Sequence, residues 1–273
     1  MNLTQDSAPQ GFDLDFALDV AMPLCQAAYA VMQSDGAEPE LPAGYRMTAV
    51  VKAGAGQLAG LAWRSKRPGD FHDRISQERD IFGLIGNNPD EKIAFVSFRG
   101  TEDATDWAHD LDALYEPYGF APGAGDVHLG FHEVYKTLRP TVLDALEEAS
   151  KDCDHVIVTG HSLGGALAVL AAPDLAVNTA AKRIPKLLAF AGPRAGLLEF
   201  HRFFNRLMPI CYRVVSSGDI VPHVPFFIPP FVYEHVGVEV KVDGGQDDPI
   251  KAHSLDLSYL PGLKRLQSAQ SEI

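Results

Sequence analysis

A short stretch of the chain, residues 160–165, has the residue types of a serine nucleophile. It contains the pattern G-x-S-x-G around Ser162, directly after the apolar residues 156–158 and before a run rich in Gly, Ala and Leu. A serine on a strained turn between a buried strand and a helix exposes its hydroxyl to a substrate carbonyl. A glycine-rich turn with an idle serine is the competing interpretation. The strand, turn and helix together favour Ser162 as the nucleophile of an acyl transfer.

A serine hydroxyl is a poor nucleophile at neutral pH, so it needs an adjacent base. On a sheet of this kind the partners follow the serine in the order acid, then histidine. Asp219 comes after the strand-like residues 212–215 in a glycine-containing turn, and it is the predicted acid. His253, in a loop before the last helix, is the predicted base. The alternatives are His235, which begins a strand, and His223, which follows Asp219 by only four residues.

The oxyanion of such a reaction needs N–H donors from two different loops. The N–H of Leu163, next to Ser162, is the first predicted donor. Thr101 follows Gly100 at the end of a strand-like stretch, and its N–H and hydroxyl are the predicted second donor. Thr101 also suits the N-cap of a following helix, a role that is compatible with donation.

Two segments suit the binding of an apolar substrate. Residues 102–116 place Trp107, Leu111 and Leu114 on one helical stripe, whose other faces carry six acidic residues and no Lys or Arg. This pattern fits either a surface helix docked on the core or a lid over the site. The apolar segment 226–232 is interpreted as either a buried loop or an acyl-binding wall, with the candidates Phe226, Phe227 and Ile228.

The elements that would position these residues alternate between strands and helices. Such alternation predicts a single α/β domain over residues 1–273, with a largely parallel sheet covered on both faces. The predicted strands are 45–51, 58–63, 81–85, 93–98, 155–159, 187–190, 212–215 and 235–242. The predicted helices are 15–32, 131–150, 163–175, 197–207 and 253–266, the last interrupted at Pro261.

Composition and charge exclude some classes of partner. Of the 273 residues, 46% are hydrophobic, which is enough to bury a sizeable core, and the net charge is −13. This charge argues against a nucleic-acid partner, since counterion release needs clustered Lys and Arg. The surplus acids lie in residues 1–45, which hold seven, and in residues 102–116, which hold six. The rest of the chain holds equal numbers of acidic and basic residues.

The location and the cofactors are also constrained by composition. No uninterrupted apolar run approaches the roughly 18 residues of a membrane span, and the chain begins without the positive start and apolar stretch of a secretory signal. We therefore expect no transmembrane segment and a cytoplasmic location, or secretion if a signal has been removed. Three cysteines without a C-x-x-C pair are expected as reduced core thiols. No metal or cofactor is expected, and the oligomeric state stays open.

Several motifs together resemble one known family. Residues 98–101 with Asp106-Trp107, residues 127–131 and the segment around Ser162 resemble the class 3 lipases, the fungal-lipase-like branch of the α/β-hydrolase fold. Residues 190–194, residues 219–222 and Ala252-His253 before Tyr259 extend the resemblance. It implies a Ser162–Asp219–His253 triad, an oxyanion hole at Thr101 and Leu163, and a lid just after Thr101. The family's histidine that matches His235 opens a strand and is not its base.

The resemblance further implies metal-free hydrolysis of an ester or lipid, as in a triacylglycerol lipase, with transient contact to a lipid–water interface. Fungal members are secreted and disulfide-bonded, whereas this chain lacks the cysteines for that pattern. Its lid segment is also more acidic than a strongly interface-activated lipase would need. A lid-poor carboxylesterase or feruloyl-esterase-like hydrolase is therefore an alternative, and a catalytically idle lipid-binding protein is a remote one.

Overall fold

The computed structural model describes residues 8–66, 69–101, 111, 113–180, 183–226 and 232–271. A seven-stranded sheet forms the centre of the structure. Its strands, from edge to edge, are β1 (Arg46–Lys52), β2 (Ile81–Asn88), β3 (Ile93–Phe98), β6 (His155–His161), β7 (Lys186–Phe190), β9 (Cys211–Ser216) and β11 (Val238–Val242). β1, β2 and β3 pair antiparallel, and every pairing from β3 to β11 is parallel. The prediction of a largely parallel sheet is confirmed.

A second, smaller sheet has four short strands. Its order is β10 (Tyr233–Glu234), β8 (Gly196–Leu197), β5 (Asp126–His128) and β4 (Tyr115–Pro117). All of its pairings are antiparallel. The small sheet ties the chain before the helix that starts at Leu129 to the segment that follows β7.

Helices cover both faces of the large sheet. They are α1 (Leu14–Gln33), α2 (Phe71–Ser76), α3 (Leu129–Ala149), α4 (Leu163–Asn178), α5 (Leu198–Leu207), α6 (Pro249–Ala252) and α7 (Leu260–Ser271). α3 and α4 bury the largest apolar cluster on one face, while α1 and α7 bury two clusters on the other. Since parallel strands end at the same edge, the loops after β3, β6 and β9 meet there, and these loops hold Thr101, Ser162 and Asp219.

α1 is apolar enough to resemble a membrane-spanning helix. By length and composition it is the one such helix among the described residues, but half of its apolar stretch is buried. Ala17, Ala21 and Leu24 have no exposed surface, because they pack on the sheet as core side chains. Asp15 and Asp19 interrupt the apolar residues of this helix, so the sequence shows no continuous apolar run here.

Three of the predicted elements differ from the structure. The predicted strand 58–63 is wrong, because Ala59–Arg64 is a 3₁₀ helix in which no side chain is buried. The predicted strand 235–242 is shorter, beginning at Val238. The last helix is not interrupted at Pro261; a π-helical turn, Leu255–Tyr259, leads directly into α7, and the proline is the second residue of α7.

Candidate active site

Ser162 lies at the turn between β6 and α4, in a backbone conformation that side chains rarely adopt. Its φ is 60° and its ψ is −128°. The residue is completely buried, and the central strand fixes it from one side while α4 begins at the next residue. Strain of this kind is concentrated at functional sites, where the surrounding fold enforces it.

The glycines around Ser162 are required by close backbone contacts. A Cβ on Gly160 would overlap the carbonyl oxygen of Gly164, and a Cβ on Gly164 would overlap the carbonyl oxygen of Phe98. A Cβ on Gly100 would lie 2.6 Å from Ser162 Cβ. The loop after β3 is therefore packed directly on the predicted nucleophile, and larger residues would push the two apart.

The structure brings Asp219 and His253 together. His253 Nδ1 lies 2.8 Å from Asp219 Oδ2, and both residues are buried. The same carboxylate accepts the hydroxyl of Tyr259 at 2.6 Å and the N–H of Val221 at 2.9 Å. Burial alone would raise the pKa of Asp219, but the hydrogen bond and charge of His253, together with the Tyr259 and Val221 donors, lower it below its usual value. Asp219 is thus held as a carboxylate that orients the imidazole.

Six buried side-chain polar atoms have no hydrogen-bond partner among the described residues, and two of them belong to the predicted triad. These two are Ser162 Oγ and His253 Nε2, the atoms that exchange a proton in a serine hydrolase. Buried polar groups are otherwise almost always paired, so these two need an explanation. Catalytic hydrogen bonds are often absent in a free enzyme and form in the complex with substrate.

A match to a protein family is consistent with this geometry. The model of the class 3 lipase family matches residues 95–228 of the chain, which include Thr101, Ser162 and Asp219. The chain belongs to the class 3 lipase family. The resemblance seen in the sequence motifs is confirmed.

Individual relatives of this chain carry names of lipid hydrolases. A triacylglycerol lipase of Arabidopsis thaliana is 31% identical over 216 residues, covering 62% of this chain and 40% of the relative. A phospholipase A1 of Oryza sativa is 30% identical over 213 residues, covering 67% of this chain and 53% of the relative. The chain thus spans about half the length of these curated relatives, or less. The solved triacylglyceride lipase of Rhizomucor miehei shares the fold, with a TM-score of 0.62 at 22% identity over 88% of this chain and 83% of that chain.

A buried series of hydrogen bonds links three parts of the site. His161 Nε2 lies 2.8 Å from the carbonyl oxygen of His253, and a carbonyl can only accept, so Nε2 carries the proton. His161 Nδ1 then accepts the Tyr29 hydroxyl at 2.7 Å, and that hydroxyl accepts the N–H of Gly100 at 3.0 Å. Burial lowers the pKa of His161 to about 3, so the ring is neutral. These hydrogen bonds hold the main chain of His253 against the loop that carries Thr101.

Sequence reasoning did not find Tyr29 or the role of His161. His161 lies inside the serine motif but was assigned no function, because its partners are distant in sequence. Tyr29 lies on α1, 71 positions before Gly100 and 132 before His161. Tyr259 was noted only as part of the family resemblance, and its bond to Asp219 was not anticipated.

The two alternative histidines lie in other surroundings. His235 Nε2 donates to the carbonyl oxygen of Pro222 at 2.6 Å, and burial lowers the pKa of His235 to about 3. His223 is exposed on the short 3₁₀ helix Val221–His223. Neither ring bonds Asp219. Among the described residues, the Asp219 carboxylate is bonded by His253, Tyr259 and Val221.

The remaining candidates are spread over the same end of the sheet. Leu163, the predicted first oxyanion donor, is the first residue of α4, and Thr101 lines a cavity of about 540 Å³ together with His253. Leu111 packs partly buried against the core, whereas Leu114 and Phe226 are exposed. Leu111 and Leu114 line a small pocket beside Phe71. The predictions for Trp107, Phe227 and Ile228, and most of the predicted lid, lie outside the described residues.

Among the described residues, no group of three or more His, Cys, Asp or Glu side chains could hold a metal ion.

Proposed function

We propose that this chain is a serine hydrolase of carboxylic esters that acts on acylglycerols as a triacylglycerol lipase or esterase. The observation that carries the proposal has two parts: Ser162 is strained and buried, and its neighbour His161 bonds the carbonyl of His253, whose Nδ1 bonds Asp219 and whose Nε2 is unpaired. The names of the relatives, triacylglycerol lipase and phospholipase A1, support an acyl ester of a lipid as the substrate class.

The proposed reaction has two halves. Ser162 Oγ attacks the ester carbonyl while His253 Nε2 takes the hydroxyl proton, and the N–H groups of Thr101 and Leu163 bind the oxyanion. The tetrahedral intermediate collapses as His253 gives its proton to the leaving alcohol, and an ester to Ser162 remains. Water then attacks this acyl-enzyme by the same route and releases the acid. Asp219 stays ionised throughout and stabilises the imidazolium form of His253.

The accessory assignments are proposals that rest mainly on the sequence. Residues 102–114 form a lid that ends before β4 (Tyr115–Pro117), Phe226 belongs to an acyl-binding wall together with Phe227 and Ile228, and one domain spans residues 1–273. The three described cysteines are free and buried, which supports a reducing, cytoplasmic location. The burial of α1 supports its role as a core helix rather than a membrane span.

The proposal is tested by hydrolysis of a chain-length series of p-nitrophenyl esters and of emulsified triglyceride. We expect Ser162→Ala to lose at least 10³-fold in kcat with an unchanged thermal unfolding midpoint. An organophosphate should label the parent chain on Ser162 and leave the variant unlabelled. Retention of near-full activity in the variant would overturn the assignment, and activity confined to short-chain esters would favour a carboxylesterase over a lipase.

A further inference from the structure

The cavity of about 540 Å³ beside His253 has a polar side that the proposed reaction does not use. Gln26 and Gln33, on the outer face of α1, form one wall. Asp256, which follows the predicted base by three residues, lines the cavity as well. Gln26 Nε2 donates to Asp256 Oδ1 at 2.5 Å.

This pair leaves hydrogen-bonding capacity free. Asp256 Oδ1 is occupied by Gln26, while no described residue donates to Asp256 Oδ2 or to Gln26 Oε1. Both oxygens can accept a hydrogen bond from a hydroxyl group, and Gln33 adds an exposed amide that can donate or accept. The wall therefore suits a ligand that carries hydroxyl donors.

The proposed reaction determines which part of an ester would lie here. His253 must hand its proton to the oxygen of the departing alcohol, so that alcohol has to lie in space that His253 lines. The carbonyl oxygen faces the loop of Thr101, which lines the same cavity. Because Thr101 and His253 both line this cavity, we place the departing alcohol in it and the acyl chain elsewhere.

The charge of the lining selects among alcohols. No Lys or Arg is among the described residues that line the cavity, and Asp256 is the one carboxylate-bearing residue among them. His161 is neutral, because burial lowers its pKa to about 3. An anionic phosphate group would therefore meet a like charge with no cation to pair it, whereas an uncharged polyol would meet hydrogen-bond acceptors.

We propose that Gln26 and Asp256 form a subsite for the hydroxyl groups of a glycerol moiety, so that the enzyme prefers partial acylglycerols over anionic glycerophospholipids. The inference rests on the proposed ester hydrolase function and names the alcohol that this function releases. Gln26 and Asp256 act here on substrate selection and not on the proton transfers.

Three substrates with the same acyl group test the subsite: 1-octanoylglycerol, methyl octanoate and 1-octanoyl-lysophosphatidic acid. Asp256→Asn keeps the size of the side chain and its bond from Gln26 but replaces the free acceptor with an uncharged donor. We expect the ratio of kcat/KM for the glycerol ester to that for the methyl ester to fall by about tenfold. The ratio for the lysophosphatidic acid to the methyl ester should rise, because the like charge is gone. Gln26→Leu should lower the first ratio as well.

The chain contains a matched control for this experiment. Gln267 Nε2 donates to Asp15 Oδ1 at 2.8 Å, a second Gln–Asp pair between α1 and the C-terminal part of the chain, and neither residue lines the cavity. Asp15→Asn should leave both ratios unchanged. If Asp256→Asn also leaves both ratios unchanged, or moves them in the same direction, the subsite is refuted while the hydrolase function stands. If the parent chain hydrolyses none of the three esters through Ser162, the proposed function itself fails.

Discussion

The hydroxyl of Tyr259 donates to Asp219 Oδ2 at 2.6 Å, and this is the same oxygen that bonds His253 Nδ1 at 2.8 Å. Tyr259 has no exposed surface, and it lies at the end of the π-helical turn that begins two residues after His253. One short segment thus supplies both the predicted base and a hydrogen bond that fixes the carboxylate orienting it. Burial and the nearby Asp219 charge raise the pKa of Tyr259, so the hydroxyl stays protonated and remains a donor.

Tyr259→Phe should therefore lower kcat several-fold without abolishing activity. Asp219 would keep its bond from Val221 and its pair with His253, but it would lose one of the donors that hold its orientation and its low pKa. Tyr118→Phe is the matched control, because Tyr118 is also fully buried and its hydroxyl donates to the Leu170 carbonyl, outside the site. Each variant should lose about 1 kcal/mol of unfolding free energy. Equal kcat values for the two variants would show that the Tyr259 hydroxyl does not position Asp219.

The glycine before the nucleophile gives a second prediction. A Cβ at Gly160 would overlap the carbonyl oxygen of Gly164, so Gly160→Ala must displace the first turn of α4 from β6. We expect a loss of at least 2 kcal/mol in unfolding free energy by denaturant titration and a near-complete loss of ester hydrolysis. Gly60→Ala is the control, because a Cβ at Gly60 meets nothing within 4 Å. A Gly160→Ala variant as stable and active as this control would contradict the packing argument.

Much of the site could be predicted from the sequence, because its chemistry is encoded locally. The G-x-S-x-G pattern requires a strand, a sharp turn and a helix within a dozen residues, and all three are present around Ser162. Asp219 follows its strand in the same local way. Tyr29 could not be found, because no local pattern marks it and its role comes from bonds to residues 71 and 132 positions away.

The fold shows a similar division between local and non-local information. Strands and helices with a clear periodicity were predicted within a few residues, as for α3 and β9. Residues 58–63 resemble a strand in composition, but Trp63 is 73% exposed and Leu58 is the only buried side chain among them, so tertiary packing and not local preference decides their conformation. The Gln26–Asp256 pair joins elements 230 positions apart, and only the folded chain reveals it.

His235 gives a prediction about stability at acidic pH. Burial lowers the pKa of His235 from 6.5 to about 3. Between these two pH values the imidazole is protonated in the unfolded chain and neutral in the folded chain. Unfolding free energy should therefore fall as the pH drops through this window. His235→Asn should reduce that slope by up to about 1 kcal/mol per pH unit while activity at pH 8 is kept. His253→Asn, in contrast, should lose activity at every pH, and the opposite result would make His235 the base.

The acidic segment 102–116 gives the last prediction. It holds six carboxylates and no Lys or Arg. Outside this segment and residues 1–45, acidic and basic residues are equal in number. If this segment is the lid, its charge repels anionic lipid surfaces, and the repulsion is screened by salt. Neutralising Asp103, Asp106, Asp110 and Asp112 to Asn should raise activity on anionic vesicles at low ionic strength and leave activity on a soluble short-chain ester unchanged.

The gain should shrink above about 0.5 M salt, where the Debye length falls below about 5 Å. The charge-matched control replaces four acids in residues 1–45, namely Asp13, Asp15, Asp19 and Asp35. An equal gain from that variant would show that the effect depends on net charge and not on the lid.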